Sequence, residues 1–283
     1  MHSDWEEMRL SMPHGLECAL RLTGPVDGIP VLAVHGWLDN AASFAVLAPL
    51  LPQCRIVALD FPGHGKSERR PLSTPYYIWS YIAEIRAVVE HFSWKQFVLL
   101  GHSMGGAVCS LYAALYPAEL AKLVLLDILG PLSALPEKLP EQMRDALAQL
   151  DTLKARQRHY YADFGIAVQA RADKGLSLAA AAILGERGIV CDESGCYWDM
   201  DPRLRVLSPM SLTEEQVAAF MRQASCPSLV VLSTQFWHTR QAMLEQRRGY
   251  LPNAQIHQLE GGHHQHMEEN AEHIAALIRQ FLH

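Results

Sequence analysis

Five consecutive residues, Gly101-His102-Ser103-Met104-Gly105, fit the pattern G-x-S-x-G. Alone the pattern is weak: with glycine and serine each near 7% of residues, chance gives roughly 0.1 matches in a chain of this length. Its setting strengthens it. The apolar run Phe97–Leu100 precedes it, and the helical spacing of Ala107, Leu111, Ala114 and Leu115 follows. The serine therefore falls on a strand-to-helix turn, too tight for a Cβ at either flank, which accounts for both glycines. Such a turn strains Ser103 and lifts its hydroxyl clear of the sheet, as a nucleophile requires. That context disfavours the competing reading, a serine in an ordinary loop.

A serine hydroxyl needs a base, and the base needs an orienting acid. With this elbow the chain order is nucleophile, acid, histidine. The base is expected in Gly261-Gly262-His263-His264-Gln265-His266, where the glycine pair permits a tight exit after the last strand. His263 is the candidate; His264 reads as a loop side chain and His266 as a structural hydrogen-bonding histidine. Three clustered histidines raise a metal, but no carboxylate or histidine partner set accompanies them in the sequence, and none is expected. The loop after Ser228–Leu232, Ser233 to Gln241, has no carboxylate, and Glu245 falls within a helical stretch. The preceding strand instead ends Leu125-Leu126-Asp127, which makes Asp127 the candidate acid. If Asp127 only anchors the segment that follows, the site runs as a dyad or recruits another acid. Asp60 also ends a strand but precedes Ser103, and is expected to stabilise a turn. Two backbone amides should face the oxyanion: Met104 at the helix N-terminus, and Trp37 after the permissive Gly36. His35 is expected to brace that loop.

The elements that must position these residues alternate in the manner of a mainly parallel α/β sheet. Pro30–Val34, Arg55–Asp60, Phe97–Leu100, Leu123–Leu126, Ser228–Leu232 and the weaker Gln255–Leu259 read as strands, most of them continuous apolar runs covered on both faces. Ile78, Tyr81, Ile82, Ile85, Val88, Val89 and Phe92 share a helical face, as do Ile274, Leu277, Ile278 and Phe281. Residues 5–22 suggest an edge hairpin around Pro13-His14-Gly15. The alternation stops between about 130 and 224, where Pro131, Pro136 and Pro140 lead into mostly helical sequence with no strand run. The expected organisation is a core of residues 1–129 and 225–283 with a helical cap, 130–224, over the strand ends.

The 283 residues carry a net charge of −6, 49% hydrophobic and 19% charged residues. That is globular usage without the basic footprint of a nucleic-acid binder. No apolar run reaches the roughly 18–20 residues that span a bilayer. Met1–Glu7 lacks a basic region followed by an apolar one, so no signal peptide and a cytoplasmic location are expected. Six dispersed cysteines argue against a disulfide scaffold, and Cys191 and Cys196 lack the second pair a zinc site would need.

Along nearly its whole length the chain resembles the α/β-hydrolases, and within them it is similar to the serine hydrolase-like proteins. The resemblance rests on His35-Gly36-Trp37-Leu38-Asp39-Asn40, Asp60-Phe61-Pro62-Gly63-His64-Gly65-Lys66-Ser67, Gly101–Gly105 and Gly262-His263-His264-Gln265-His266-Met267-Glu268. It implies cofactor-free hydrolysis of a carboxylic ester or similar acyl bond, on a small-molecule acyl substrate, beneath a helical cap. The chain departs from the pattern in its empty acid position after Leu232; in some family members the acid moves to the previous strand, where Asp127 stands. The serine at the elbow separates it from haloalkane dehalogenases and epoxide hydrolases, which use aspartate there. A thioesterase, a C–C bond hydrolase or a cofactor-free perhydrolase would use the same triad. A non-catalytic ligand-binding protein of the same fold is the alternative of another class. Trp198, Trp237 and Phe236 are candidate substrate contacts, with core packing the competing reading. Arg69-Arg70 and Arg247-Arg248 read as solvated surface charge. Monomer and dimer both stay open.

Overall fold

The computed structural model describes residues 5–153 and 158–283; the start of the chain, Met1–Asp4, lies outside them. Strands β1 (Glu6–Ser11) and β2 (Glu17–Thr23) form the expected antiparallel hairpin. Next come β3 (Ile29–Val34), β4 (Cys54–Leu59), helix α1 (Ile82–His91), β5 (Phe97–His102), α2 (Met104–Leu115) and β6 (Leu120–Leu126). The stretch that follows carries α3 (Leu139–Leu153), α4 (Phe164–Ala172), α5 (Leu178–Gly188), β7 (Ile189–Asp192), β8 (Gly195–Trp198) and α6 (Glu214–Met221). The sheet resumes with β9 (Ser228–Ser233), followed by α7 (Thr234–Trp237), α8 (Gln241–Arg248), β10 (Ala254–Leu259) and α9 (Ala271–Leu282).

Eight strands form one sheet in the order β1-β2-β4-β3-β5-β6-β9-β10, parallel from β4 onward. The strand period of two sorts its side chains cleanly. Leu32, Val34, Leu99, Leu123, Leu125, Val230 and Leu232 face a layer built by α1, α2 and α8. Their alternates Val31, Ala33, Val98, Leu100, Val124, Leu126, Leu229 and Val231 face α9, through Ile274, Ala275, Ile278 and Phe281, and the 3-10 turn at Phe44. Both faces are thus covered, which explains why these strands read as unbroken apolar runs. Helix α6 buries Val217, Ala218 and Met221 in the same layer as α2.

Three expectations are corrected. The inserted stretch contains strands as well as helices, the hairpin β7–β8, and a disulfide joins Cys191 to Cys196 directly across it. The two cysteines face each other in the ladder, a pairing that their spacing alone does not reveal. Arg70 and Arg247 are not surface charge: Arg70 pairs with the fully buried Glu84 at 2.7 Å, and Arg247 is itself fully buried against Glu214 at 2.8 Å. Burial pushes the Glu84 carboxyl up despite the opposing pull of Arg70. Their neighbours Arg69 and Arg248 are exposed, as expected.

Candidate active site

The elbow after β5 has the anticipated geometry. Ser103 sits at φ +49°, ψ −118°, a left-handed conformation costing about 1–3 kcal/mol for a side-chain-bearing residue. Its amide is tied to the Leu126 carbonyl at 2.9 Å, which fixes the turn against β6. The flanking glycines are sterically required. A Cβ on Gly101 would lie 2.6 Å from both Gly106 Cα and Cys109 Sγ; one on Gly105 would lie 2.3 Å from the Val34 carbonyl oxygen. Met104 begins α2, so its amide is among those the helix cannot satisfy internally.

Three residues from three strand ends converge. The Ser103 hydroxyl donates to His263 Nε2 at 2.9 Å, and His263 Nδ1 donates to Asp127 Oδ2 at 2.5 Å. Asp127 lies just past β6 at φ +52°, nearly inaccessible to solvent, while the His263 side chain keeps about a quarter of its surface exposed. The carboxylate is held from β9: the Ser233 amide donates to Oδ1 at 2.6 Å and the Ser233 hydroxyl to Oδ2 at 2.8 Å. Ser233 stands where the sequence lacks an acid, and it serves there as a clamp for the acid of the neighbouring strand. The parallel register that sets Leu126 beside Val231 brings the two together.

Phe236 stacks on the His263 imidazole, with ring centroids 4.5 Å apart, so it forms a wall of the site. Trp237 does not. It is fully buried, edge-on to Phe236 in the core layer, because the short α7 turns successive side chains in different directions. Trp198 is half-buried in the inserted stretch and donates its indole N–H to the Ala167 carbonyl at 3.0 Å. The Trp37 side chain is half-exposed, and its indole donates to the Leu204 carbonyl at 2.7 Å. His35 braces its loop as anticipated, donating from Nδ1 to the Gly36 carbonyl and accepting the Phe61 amide at Nε2. Burial pushes its pKa down to about 4, which suits that neutral tautomer. Asp60 accepts the Ala41 and Lys66 amides, the turn-stabilising role expected, and also takes Arg187 of α5 at 2.8 Å.

Beneath His263 lies a group that sequence reasoning missed. One oxygen of Asp39, and one nitrogen each of His102 and His264, lie within 4.8 Å of one another, all buried. The carboxylate partner that the histidine cluster lacked in the sequence is therefore Asp39. Both its oxygens are engaged: Arg171 of α4 donates to Oδ1 at 2.8 Å, and His264 Nε2 to Oδ2 at 3.1 Å. The guanidinium already supplies the counter-charge, so the group fits a hydrogen-bonded node better than a cation. Burial pushes the Asp39 carboxyl up, but the neighbouring His264 and His102 imidazoles outweigh it and hold it well below the usual range. His102 donates from Nε2 to the His263 carbonyl at 2.9 Å, and burial depresses its pKa to about 4. His266 reaches Ser43 Oγ at 2.9 Å, the structural bond anticipated for it. Gly36 is the local sequence signal of this node: a Cβ there would press on His102 Nδ1 and Asp39 Oδ2 at 2.8 and 2.9 Å.

The chain belongs to the α/β-hydrolase fold family, whose match covers residues 29–270. Within that family its relatives include serine hydrolase-like proteins. It is 37% identical to a probable serine hydrolase of Drosophila melanogaster, over 78% of this chain and 70% of the relative. It is 32% identical to the serine hydrolase-like protein 2 of Homo sapiens, over 98% of this chain and 93% of that one. Among solved structures, a hypothetical protein of Pseudomonas aeruginosa PAO1 superposes with a TM-score of 0.90 at 39% identity, covering 97% of this chain and 98% of that one. A thioesterase domain from the curacin biosynthetic pathway superposes at 0.85 with 26% identity, covering 98% and 99%. No described helix is long and apolar enough to cross a membrane.

Proposed function

We propose that the protein is a serine hydrolase that cleaves a carboxylic ester or related acyl bond of a small molecule through an acyl-enzyme. The observation that carries this reading is the unbroken hydrogen-bond line from Asp127 through His263 to a strained Ser103. Ser103 Oγ attacks the acyl carbon as His263 Nε2 takes its proton, and the carbonyl C=O of the ester becomes the oxyanion of a tetrahedral intermediate, whose collapse breaks the C–O bond. The Met104 and Trp37 amides hold that oxyanion. Asp127 keeps the proton of Nδ1 in place and stabilises the imidazolium. His263 returns its proton to the departing alcohol, then activates a water that releases the acid and restores Ser103. Phe236 lies against the imidazole and excludes water from one of its faces. In this reading residues 130–224 cap the site, with Trp198 near the substrate path, and the protein works in the cytoplasm.

A thioester in place of the ester is a second reading, supported by the likeness to the curacin thioesterase domain. The chemistry at Ser103 would be unchanged, since a thiolate leaves in the alcohol's place. The test that needs no substrate guess is intact-mass analysis after treatment with a fluorophosphonate. A single adduct on the wild type, absent in Ser103→Ala, is expected. Folded wild-type protein that takes no adduct would refute the reading and favour a ligand-binding role.

A further inference from the structure

A cavity of about 530 Å³ opens in the inserted stretch, and its lining runs against the charge of the whole molecule. In a chain of net charge −6, its wall carries Arg69, Arg158, Lys174 and Arg205, together with His159. None of the described residues that line it is a carboxylate. One carboxylate stands close by: Asp199 pairs with Arg69, and Arg158 approaches it at 3.8 Å. Arg158 is further held by lying over the Tyr197 ring at 3.9 Å, and Arg205 directs Nη2 to the Met200 sulfur at 3.7 Å. Four cations gathered around one hollow repel each other, and Asp199, placed against two of them, does not neutralise the set. Such a set suits a ligand bearing several negative charges, and guanidinium forks match phosphate oxygens in particular.

The cavity wall is tied to the loop after β3 by a hydrogen bond and by packing. Met200, Pro202 and Arg205 of its wall belong to the short strap 199–205, and Leu204 of that strap receives the Trp37 indole. Trp198, its aromatic wall, and Asn40 both border Gly188, where a Cβ would lie 3.1 Å from each. Trp37 and Asn40 belong to one loop, whose Trp37 amide is the oxyanion donor proposed above.

We infer that this cavity seats a phosphate-bearing part of the substrate, distant from the bond that is cleaved. The inference rests on the hydrolase reading and narrows it to acyl compounds whose leaving group carries two or more phosphates. The chemistry of the bond-breaking step is that given above, with the phosphorylated alcohol or thiol leaving on the proton of His263.

The direct probe is inorganic pyrophosphate, titrated calorimetrically into the wild type, the double variant Arg158→Glu/Lys174→Glu and, as a remote control, Arg9→Glu. Arg158 and Lys174 are exposed, so both variants should fold, which circular dichroism checks. The expected result is a Kd raised at least tenfold in the double variant and little changed in the control. Equal weakening in both, or no binding to the wild type, would overturn the inference, because only general surface charge would then be at work. In parallel, the wild type is assayed on butyryl-coenzyme A and on uncharged 4-nitrophenyl butyrate at low and high salt. KM should rise with salt for the phosphorylated substrate alone, since screening acts on its anionic group. Fluorophosphonate labelling separates the two readings. Labelling without pyrophosphate binding would remove the anion site and leave the hydrolase; binding without labelling would remove the reaction, and with it the assignment to a substrate.

Discussion

Replacing Asp127 by Asn changes one oxygen for an amide nitrogen and little else. The Ser233 amide still donates to Oδ1, at the 2.6 Å position it now occupies, and Asn accepts a left-handed φ such as +52° as readily as Asp. The fold should survive. The new NH2 group, however, faces His263 Nδ1, where a hydrogen-bond donor now stands in place of an acceptor. The imidazole answers by moving its proton to Nε2, so it donates to Ser103 and no longer accepts from it. By analogy with serine hydrolase triads generally, that tautomer costs about 10⁴ in kcat. At 1.36 kcal/mol per tenfold, this is about 5.4 kcal/mol of transition-state stabilisation. Stopped-flow acylation with 4-nitrophenyl acetate measures the loss, and a melting curve shows whether the fold is intact. Asp127→Ala provides the contrast: it is equally slow, but it leaves the buried Ser233 amide unpaired at a further cost of about 1–3 kcal/mol, so it alone should melt early. An Asn variant that melts like the wild type and retains more than about a tenth of its rate would refute the reasoning and return the site to a dyad or another acid.

Stability should fall steeply in mild acid. His35 and His102 are held at a pKa of about 4 and His64 at about 3, all by burial, against an ordinary value of 6.5. Between those limits the unfolded chain binds more protons than the folded one, so stability rises with pH; about 1.4 kcal/mol per histidine, roughly 4 in all, should be lost by about pH 5.5. Calorimetric melting from pH 7.5 downward tests this, and a flat Tm to pH 5 would contradict it. Gly105→Ala should cost about 3 kcal/mol or more, because its Cβ meets backbone oxygens of β3 at 2.3 Å and of His35 at 2.6 Å; urea unfolding reads the loss. Arg187→Met should cost about 3–5 kcal/mol in the same assay by leaving Asp60 buried without its cation.

The elbow was legible because its signal is local: five residues, an apolar run before and a helical spacing after. Asp127 was legible for a similar reason, as a carboxylate at a strand end. What escaped the sequence was assembled from distant segments. Asp39, His102, Arg171 and His264 come from four parts of the chain, and no spacing rule links them. Ser233 was passed over because the search there was for an acid. Trp237 was offered as a wall and proved to be core, since a four-residue helix gives too little periodicity to tell its faces apart. Arg70 and Arg247 misled because each sits beside a second arginine, and only packing reveals which one of each pair turns inward.

Among the guanidinium–carboxylate pairs that fasten the inserted stretch to the rest of the fold, Arg171 to Asp39 and Arg187 to Asp60 hold two different helices at separate points beside the strand ends. Each lies largely out of water, so removing either partner would strand a buried charge at a cost of about 3–5 kcal/mol. Under the proposed reading, in which this stretch caps Ser103, the two anchored helices α4 and α5 make part of the rim a fixed template, and a substrate is selected there by how its shape fits.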